Sequence, residues 1–300
     1  MPALPRLLAA EDHDRMAALN WYARGVVEGL HVGMHRSPYI GVSVEFKEHR
    51  AYVRGDEVRS IDWKLYGKTD RLFVRQYEHE SNLKATLLVD QSGSMAYRGT
   101  QGTGISKHLF ATRLAACLSY LFVSQHDAVG LSLFDTQVRT MLPPRNRVSQ
   151  LEHLMHALAD SSCGGETRLG EVLTDAASRV GRRGVVFLIS DGFDDVEPLL
   201  RSLSLLRQLA SEVVFFQVWH PDELDFPFST RTRFQSLETP GQERVVDPLS
   251  FRKTYLRNLE RFQTAIAEGC TQRRITHVPC RSDEPHAELI ARFLSRREAV

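Results

Sequence analysis

From Leu83 onward, short apolar runs rich in β-branched residues alternate with longer stretches whose apolar residues recur at helical spacing. That alternation leaves few folds open. Strands joined through helices pair in parallel, and a parallel sheet needs helices on both faces. The spacing predicts strands over 84–89, 128–134, 184–189, 213–218 and 275–278. A short edge strand over 137–142 should stop at Pro143-Pro144, because proline donates nothing to a ladder. Helices are predicted over 107–125, 148–158, 169–180, 196–209, 250–270 and 285–296. Residues 226–246 hold Pro227, Pro240 and Gly241 among polar residues and read as a loop with short strands.

Two of these strands run into a carboxylate. Val89 leads into Asp90-Gln-Ser-Gly-Ser94, and Ile189 into Ser190-Asp191-Gly192. In open α/β sheets, ligands bind beyond the carboxyl ends of the strands, where the strand order reverses. Asp90, Ser92 and Ser94 alternate along the chain, so in an extended loop they project to one side. Gly93 allows a tight turn between them. A carboxylate and two hydroxyls form an oxygen-only donor set, which suits a hard cation: Mg²⁺ first, then Mn²⁺ or Ca²⁺. The blander reading is an aspartate that merely caps a helix.

Asp90-x-Ser-x-Ser94 resembles the signature of the von Willebrand factor A-type fold, over roughly Leu83 to Arg297. The resemblance implies a metal-ion-dependent adhesion site (MIDAS) completed by a threonine and a second aspartate from other loops. Thr167, in Gly165-Glu-Thr167 before a helix, and Asp191 stand in the matching places. The implied metal ligands are therefore Asp90, Ser92, Ser94, Thr167 and Asp191.

A second resemblance lies upstream. Glu45-Phe-Lys-Glu-His-Arg50, Tyr52, Gly55-Asp56, Arg59-Ser-Ile-Asp-Trp63 and Arg71-Leu-Phe-Val-Arg75 are similar to the signature of the domain-of-unknown-function 58 family. In that family the block precedes an A-type domain. The expected organisation is an irregular helix/β N-terminal segment, 1–80, packed on an A-like α/β domain, 81–300. The resemblance implies an adaptor to a MoxR-type AAA+ ATPase, acting in the chaperone-like maturation of client proteins. Its mode would be metal-mediated recognition of an acidic side chain, with no turnover.

Other classes find less support. Lys and Arg number 38 and Asp and Glu 37, a net charge of +1, so no general attraction to nucleic acid follows. The block 45–80 mixes aromatics with basic residues, but eight cations face eight anions. Trp63 and Phe73 read as core, and Arg–carboxylate pairs as structural locks. Ile105 follows Gly104 where a P-loop needs lysine, which excludes that motif and leaves a flexible loop before the helix at Lys107. No G-x-S-x-G elbow surrounds Ser92. His153 and His156 lack the H-E-x-x-H frame of a zinc enzyme. The enzymatic alternative is a Mg²⁺-dependent phosphohydrolase using Asp90 and Asp191, weakened by a serine at position 92 where such enzymes often carry a second aspartate.

Cys117, Cys163, Cys270 and Cys280 are scattered and suggest reduced thiols, with Cys117 buried in a helix. The N-terminus lacks the long apolar core of a signal peptide. The longest apolar stretch falls short of the ~20 residues needed to span a bilayer. A soluble, cytoplasmic protein without membrane insertion is the expectation.

Overall fold

A computed structural model describes residues 10–33, 44–53, 61–79, 83–99, 104–165, 169–179, 184–238 and 241–298. The chain divides into a larger unit, 1–36 with 84–300, and a smaller one, 37–83.

The larger unit is built on a six-stranded sheet. Its strands are β3 (Lys84–Asp90), β4 (Ala128–Phe134), β5 (Val138–Arg145), β6 (Val185–Ser190), β7 (Glu212–Trp219) and β10 (Thr276–Arg281), in the order β10-β7-β6-β3-β4-β5. All neighbours are parallel except β4 and β5. The fold is therefore α/β with a mostly parallel central sheet. The central strands are buried on both faces: all six residues of β6, and all of β3 but Lys84. Continuous apolar runs rather than alternating ones are what such strands require.

One face is covered by α5 (Leu169–Arg179), α6 (Val196–Leu209) and α8 (Pro248–Gln272), whose Leu173, Leu203 and Ile266 pack with Leu88 and Phe215 of the sheet. The other carries α3 (Lys107–Ser124), α4 (Val148–Ala159) and α9 (His286–Glu298). There Phe187 lies 5.3 Å from Phe122 and 6.0 Å from Phe293, ring centre to ring centre.

Strand β5 continues through Pro143 and Pro144 to Arg145 rather than stopping before them. It is the outermost strand, so prolines at positions without a ladder donor cost it no hydrogen bond. A register shift between Val129 and Leu131 accommodates them.

The first helix, α1 (Ala10–Gly33), belongs with this larger unit, although the expected boundary after residue 80 separates them. It packs on α3, α4 and α9. Leu19, Ala23 and Val27 recur every four residues and are buried against that layer. The Tyr22 hydroxyl lies 2.8 Å from His286 Nδ1, and the Arg113 guanidinium stacks 4.8 Å over the Tyr22 ring. A chain starting at Asn82 loses this layer and bares apolar surface on α3, α4 and α9. It should aggregate or melt several degrees lower. A soluble fragment with the full-length melting temperature would show that α1 adds nothing.

In the smaller unit, β1 (Val44–Ala51) pairs antiparallel with β2 (Phe73–His79), and α2 (Trp63–Thr69) lies between them in sequence. Buried Asp62 caps α2, its Oδ1 accepting from Lys64 N at 3.0 Å and Leu65 N at 3.1 Å. Trp63 is not core: it is 58% exposed and meets Tyr66 edge-on. The burial belongs to its neighbours Ile61 and Asp62, because the start of α2 turns the next residue outward. Phe73 is half-buried. The expected Arg–carboxylate pairs of 45–80 fall largely outside the described side chains.

Candidate metal centre

Strand β3 is where the strand order reverses: the chain leaves it toward β4 on one side and returns to β6 on the other. The crevice beyond the ends of β3 and β6 is the switch point, and Asp90 and Asp191 stand on its two sides. Val89 pairs in register with Ile189, which sets Asp90 beside Ser190.

Asp90 is fully buried. Its Oδ1 accepts from the Ser92 backbone N–H at 2.8 Å, and its Oδ2 accepts from the Ser190 hydroxyl at 2.6 Å. The Ser190 Oγ in turn accepts from Gly192 N–H at 2.9 Å. Ser92 and Ser94 hydroxyl oxygens are 3.0 Å apart, with Ser92 buried and Ser94 half-buried at the rim. A short 3-10 turn over Gly93–Ala96 follows Ser92 and brings the second hydroxyl beside the first. Gly93 is needed for close approach: a Cβ there would lie 2.3 Å from the Leu237 carbonyl oxygen and 3.1 Å from that of Gly165.

The neighbouring loop is tied on by two backbone bonds, Gly93 N–H to Gly165 O at 3.0 Å and Gly164 N–H to Gln91 O at 2.9 Å. Thr167 itself lies outside the described residues, two positions beyond that anchor. Cys163, in the same loop, has its thiol pushed up to about 12 by burial and then by the charges of Asp90 and Asp191.

Three carboxylates end adjacent strands, and their charges are met differently. Burial raises the carboxyl of Asp135, after β4, but the Arg139 guanidinium at 2.7 Å, the Gln137 backbone N–H and the Thr136 hydroxyl together hold its pKa below the usual value. Asp191 receives the Lys107 ammonium at 2.8 Å on Oδ2 and the Phe193 backbone N–H at 3.1 Å on Oδ1. Asp90 has only neutral donors among the described residues. Burial, and then repulsion from Asp191, push its carboxyl up to about 7 despite those hydrogen bonds.

A carboxylate buried without a cationic partner among the described residues, beside one buried hydroxyl and one at the rim, is a donor set that a hard divalent ion fits. Asp90, Ser92, Ser94 and Asp191 would hold it.

The structure adds residues that the motif did not contain. Lys107 opens α3 behind the N-cap Ser106 and is fully buried. Its Nζ reaches Glu223 Oε1 at 2.6 Å as well as Asp191, and lies 5.0 Å from the Phe193 ring centre. Burial works against its charge, but the two carboxylates outweigh it and hold the ammonium above the ordinary lysine range. Glu223 belongs to α7 (Pro221–Asp225), where its Oε2 accepts from His220 N–H at 2.7 Å. Tyr97 joins the same rim, its hydroxyl donating to Asp222 Oδ2 at 3.2 Å. A cation in the first turn of a helix opposes the macrodipole. That was the one signal in the sequence that Lys107 has a partner elsewhere.

Comparison with known proteins gives related chains and similar folds. The family described as protein of unknown function DUF58 matches residues 48–265. The uncharacterized protein Rv1480 of Mycobacterium tuberculosis is 25% identical over 280 residues, 91% of this chain and 84% of its own. An uncharacterized protein of Mycobacterium bovis, Mb1516, matches to the same extent. Among solved structures, BatB from Bacteroides thetaiotaomicron aligns at a TM-score of 0.46 and 16% identity, over 73% of this chain and 100% of that one. The SpRpn10 VWA domain aligns at 0.39 and 13%, over 70% and 94%.

Proposed function

The chain belongs to the DUF58 family, and from that premise we propose that it is a protein-recognition module whose strand-end site takes a divalent cation. The observation that carries this reading is Asp90: a buried carboxylate, facing Asp191, with neutral donors only among the described residues. An ion there offsets the repulsion between the two carboxylates. Hydroxyl ligands neutralise little of its charge, so it keeps an affinity for one more anionic oxygen. An acidic side chain from a second protein supplies that oxygen.

Mg²⁺ is the first choice for an all-oxygen set in a cell, with Mn²⁺ or Ca²⁺ able to substitute. The site binds and does not turn over. The resemblance of 45–75 to the family's signature favours a MoxR-type AAA+ ATPase, or a client of one, as the protein recognised. Among the described residues, no helix is long and apolar enough to cross a membrane.

The test is capture of such an ATPase by the full-length chain in Mg²⁺ and in chelator. Capture should be strong in the first and fall at least about tenfold in the second, since the partner's carboxylate loses the ion that it coordinates. His153→Ala, an exposed position on α4, should leave capture unchanged. Capture that ignores chelation would refute metal-mediated recognition.

A further inference from the structure

Lys107 is a fully buried charge at the edge of the proposed cation site, with no part in binding the ion directly. Its side chain is 0% exposed, and it crosses from the start of α3 to two carboxylates 84 and 116 residues away in sequence. An ammonium has three donors. Two are satisfied by Asp191 and Glu223, and the Phe193 ring lies beside the group. Burying a lysine is costly unless it is paired and hydrogen-bonded, and here two carboxylates hold it.

One of those partners is a candidate ligand of the cation. An ammonium and a divalent ion on the same carboxylate repel each other and share its electron density. The second partner, Glu223, is itself fixed: its Oε2 accepts from the His220 N–H at 2.7 Å while its Oε1 accepts from the ammonium at 2.6 Å. We infer that Lys107 and Glu223 are positioning residues that set how tightly the site holds a divalent ion. Lys107 competes with the ion for Asp191, and Glu223 restrains Lys107.

In the ion-free protein the ammonium is the charge that keeps Asp191 in place, so the crevice does not open when the ion leaves. When the ion binds, Asp191 is shared and Lys107 leans on Glu223. The arrangement yields a site of moderate affinity, emptied and refilled without unfolding. This inference rests on the reading of Asp90, Ser92, Ser94 and Asp191 as a cation site.

The two residues carry opposite charges, so their replacements should move ion affinity in opposite directions. A merely structural role would lower stability in both and give no such split. The experiment is titration of the full-length chain with Mn²⁺, followed by electron paramagnetic resonance of the free ion. Lys107→Met should tighten Mn²⁺ at least about tenfold, because a unit charge a few ångströms from the ion is removed from a poorly screened site. Glu223→Gln should weaken it by about threefold or more, leaving the ammonium wholly on Asp191. Should Lys107→Met fail to fold, Lys107→Met with Glu223→Gln is neutral at both positions and keeps the expected sign, since the ammonium touches Asp191 and Glu223 does not.

Opposite shifts support the inference. Equal affinities, or shifts of one sign, overturn it while leaving the cation site standing. No binding in wild type with binding in Lys107→Met supports it in stronger form, the ammonium excluding the ion. No binding in any variant overturns both the inference and the site.

Discussion

Asp90→Asn should lower Mn²⁺ affinity at least about a hundredfold and leave the ion-free protein as stable as wild type or more so. On the proposed reading Asp90 is a carboxylate ligand, and losing one exceeds the 10–100-fold range typical of outer-shell changes. The stability effect has the opposite sign for a local reason. Asp90 is fully buried, repelled by Asp191 and, among the described residues, supported only by neutral donors. Asparagine is close to isosteric, accepts from Ser92 N–H through its carbonyl and donates to Ser190 Oγ through its amide. The buried negative charge is gone and both hydrogen bonds remain. A gain of about 1–3 kcal/mol in the absence of ion is the expectation, comparable to relief of an unpaired buried group. Alanine is the poorer probe, since it leaves two buried donors without an acceptor. Equal Mn²⁺ affinity in wild type and Asp90→Asn would sink the metal assignment. A less stable asparagine variant would show that the ion-free site is not strained by charge.

The second large effect concerns acid. His286 is buried between α1 and α3, with Nδ1 2.8 Å from the Tyr22 hydroxyl and Nε2 3.0 Å from the Phe110 carbonyl. A carbonyl only accepts, so Nε2 carries the proton and Nδ1 accepts from tyrosine. The ring is neutral, and burial pushes its pKa down to about 4, against a supporting contribution from the Phe110 carbonyl. His277, bonded to Gln217 at 2.9 Å, is likewise lowered to about 4 by burial. Between pH 6.5 and 4 the unfolded chain therefore binds protons that the folded chain refuses. Stability is fully present above the unfolded value and is lost as pH falls through this window.

Each histidine accounts for about 2–3 kcal/mol by pH 4.5, at 1.36 kcal/mol per pH unit. The melting temperature should fall by roughly 5–10 °C per histidine between pH 7 and pH 4.5. His286→Asn, which does not titrate, should be less stable at neutral pH but show a shallower decline. A decline parallel to that of wild type would mean that His286 is not held neutral in the fold.

The strands and helices of the larger unit were legible because their signals are local. A strand buried on both faces must be apolar throughout, and Thr86 to Val89 or Val185 to Ile189 have little alternative. Helical spacing marked α3, α4, α5, α6, α8 and α9 to within a few residues of their ends. Asp90, Ser92 and Ser94 were legible for the same reason: three donors on one short loop are a pattern within five residues.

What the tertiary structure decided is what depends on residues far apart. Whether a proline ends a strand depends on whether its neighbour's ladder needs a donor there, and β5 lies at an edge. Trp63 and Ile61 are equally apolar by type, but only the start of α2 decides which one turns outward. The placement of α1 depends on the surface of α3, α4 and α9, which exists only once those helices have docked. The charge balance of the candidate site was the least accessible of all. Lys107, Asp191 and Glu223 come from three separate elements, and no periodicity links them. Hydrophobic pattern acts along a few turns of chain, whereas a buried ammonium takes its counter-ions from whatever the fold brings within 3 Å.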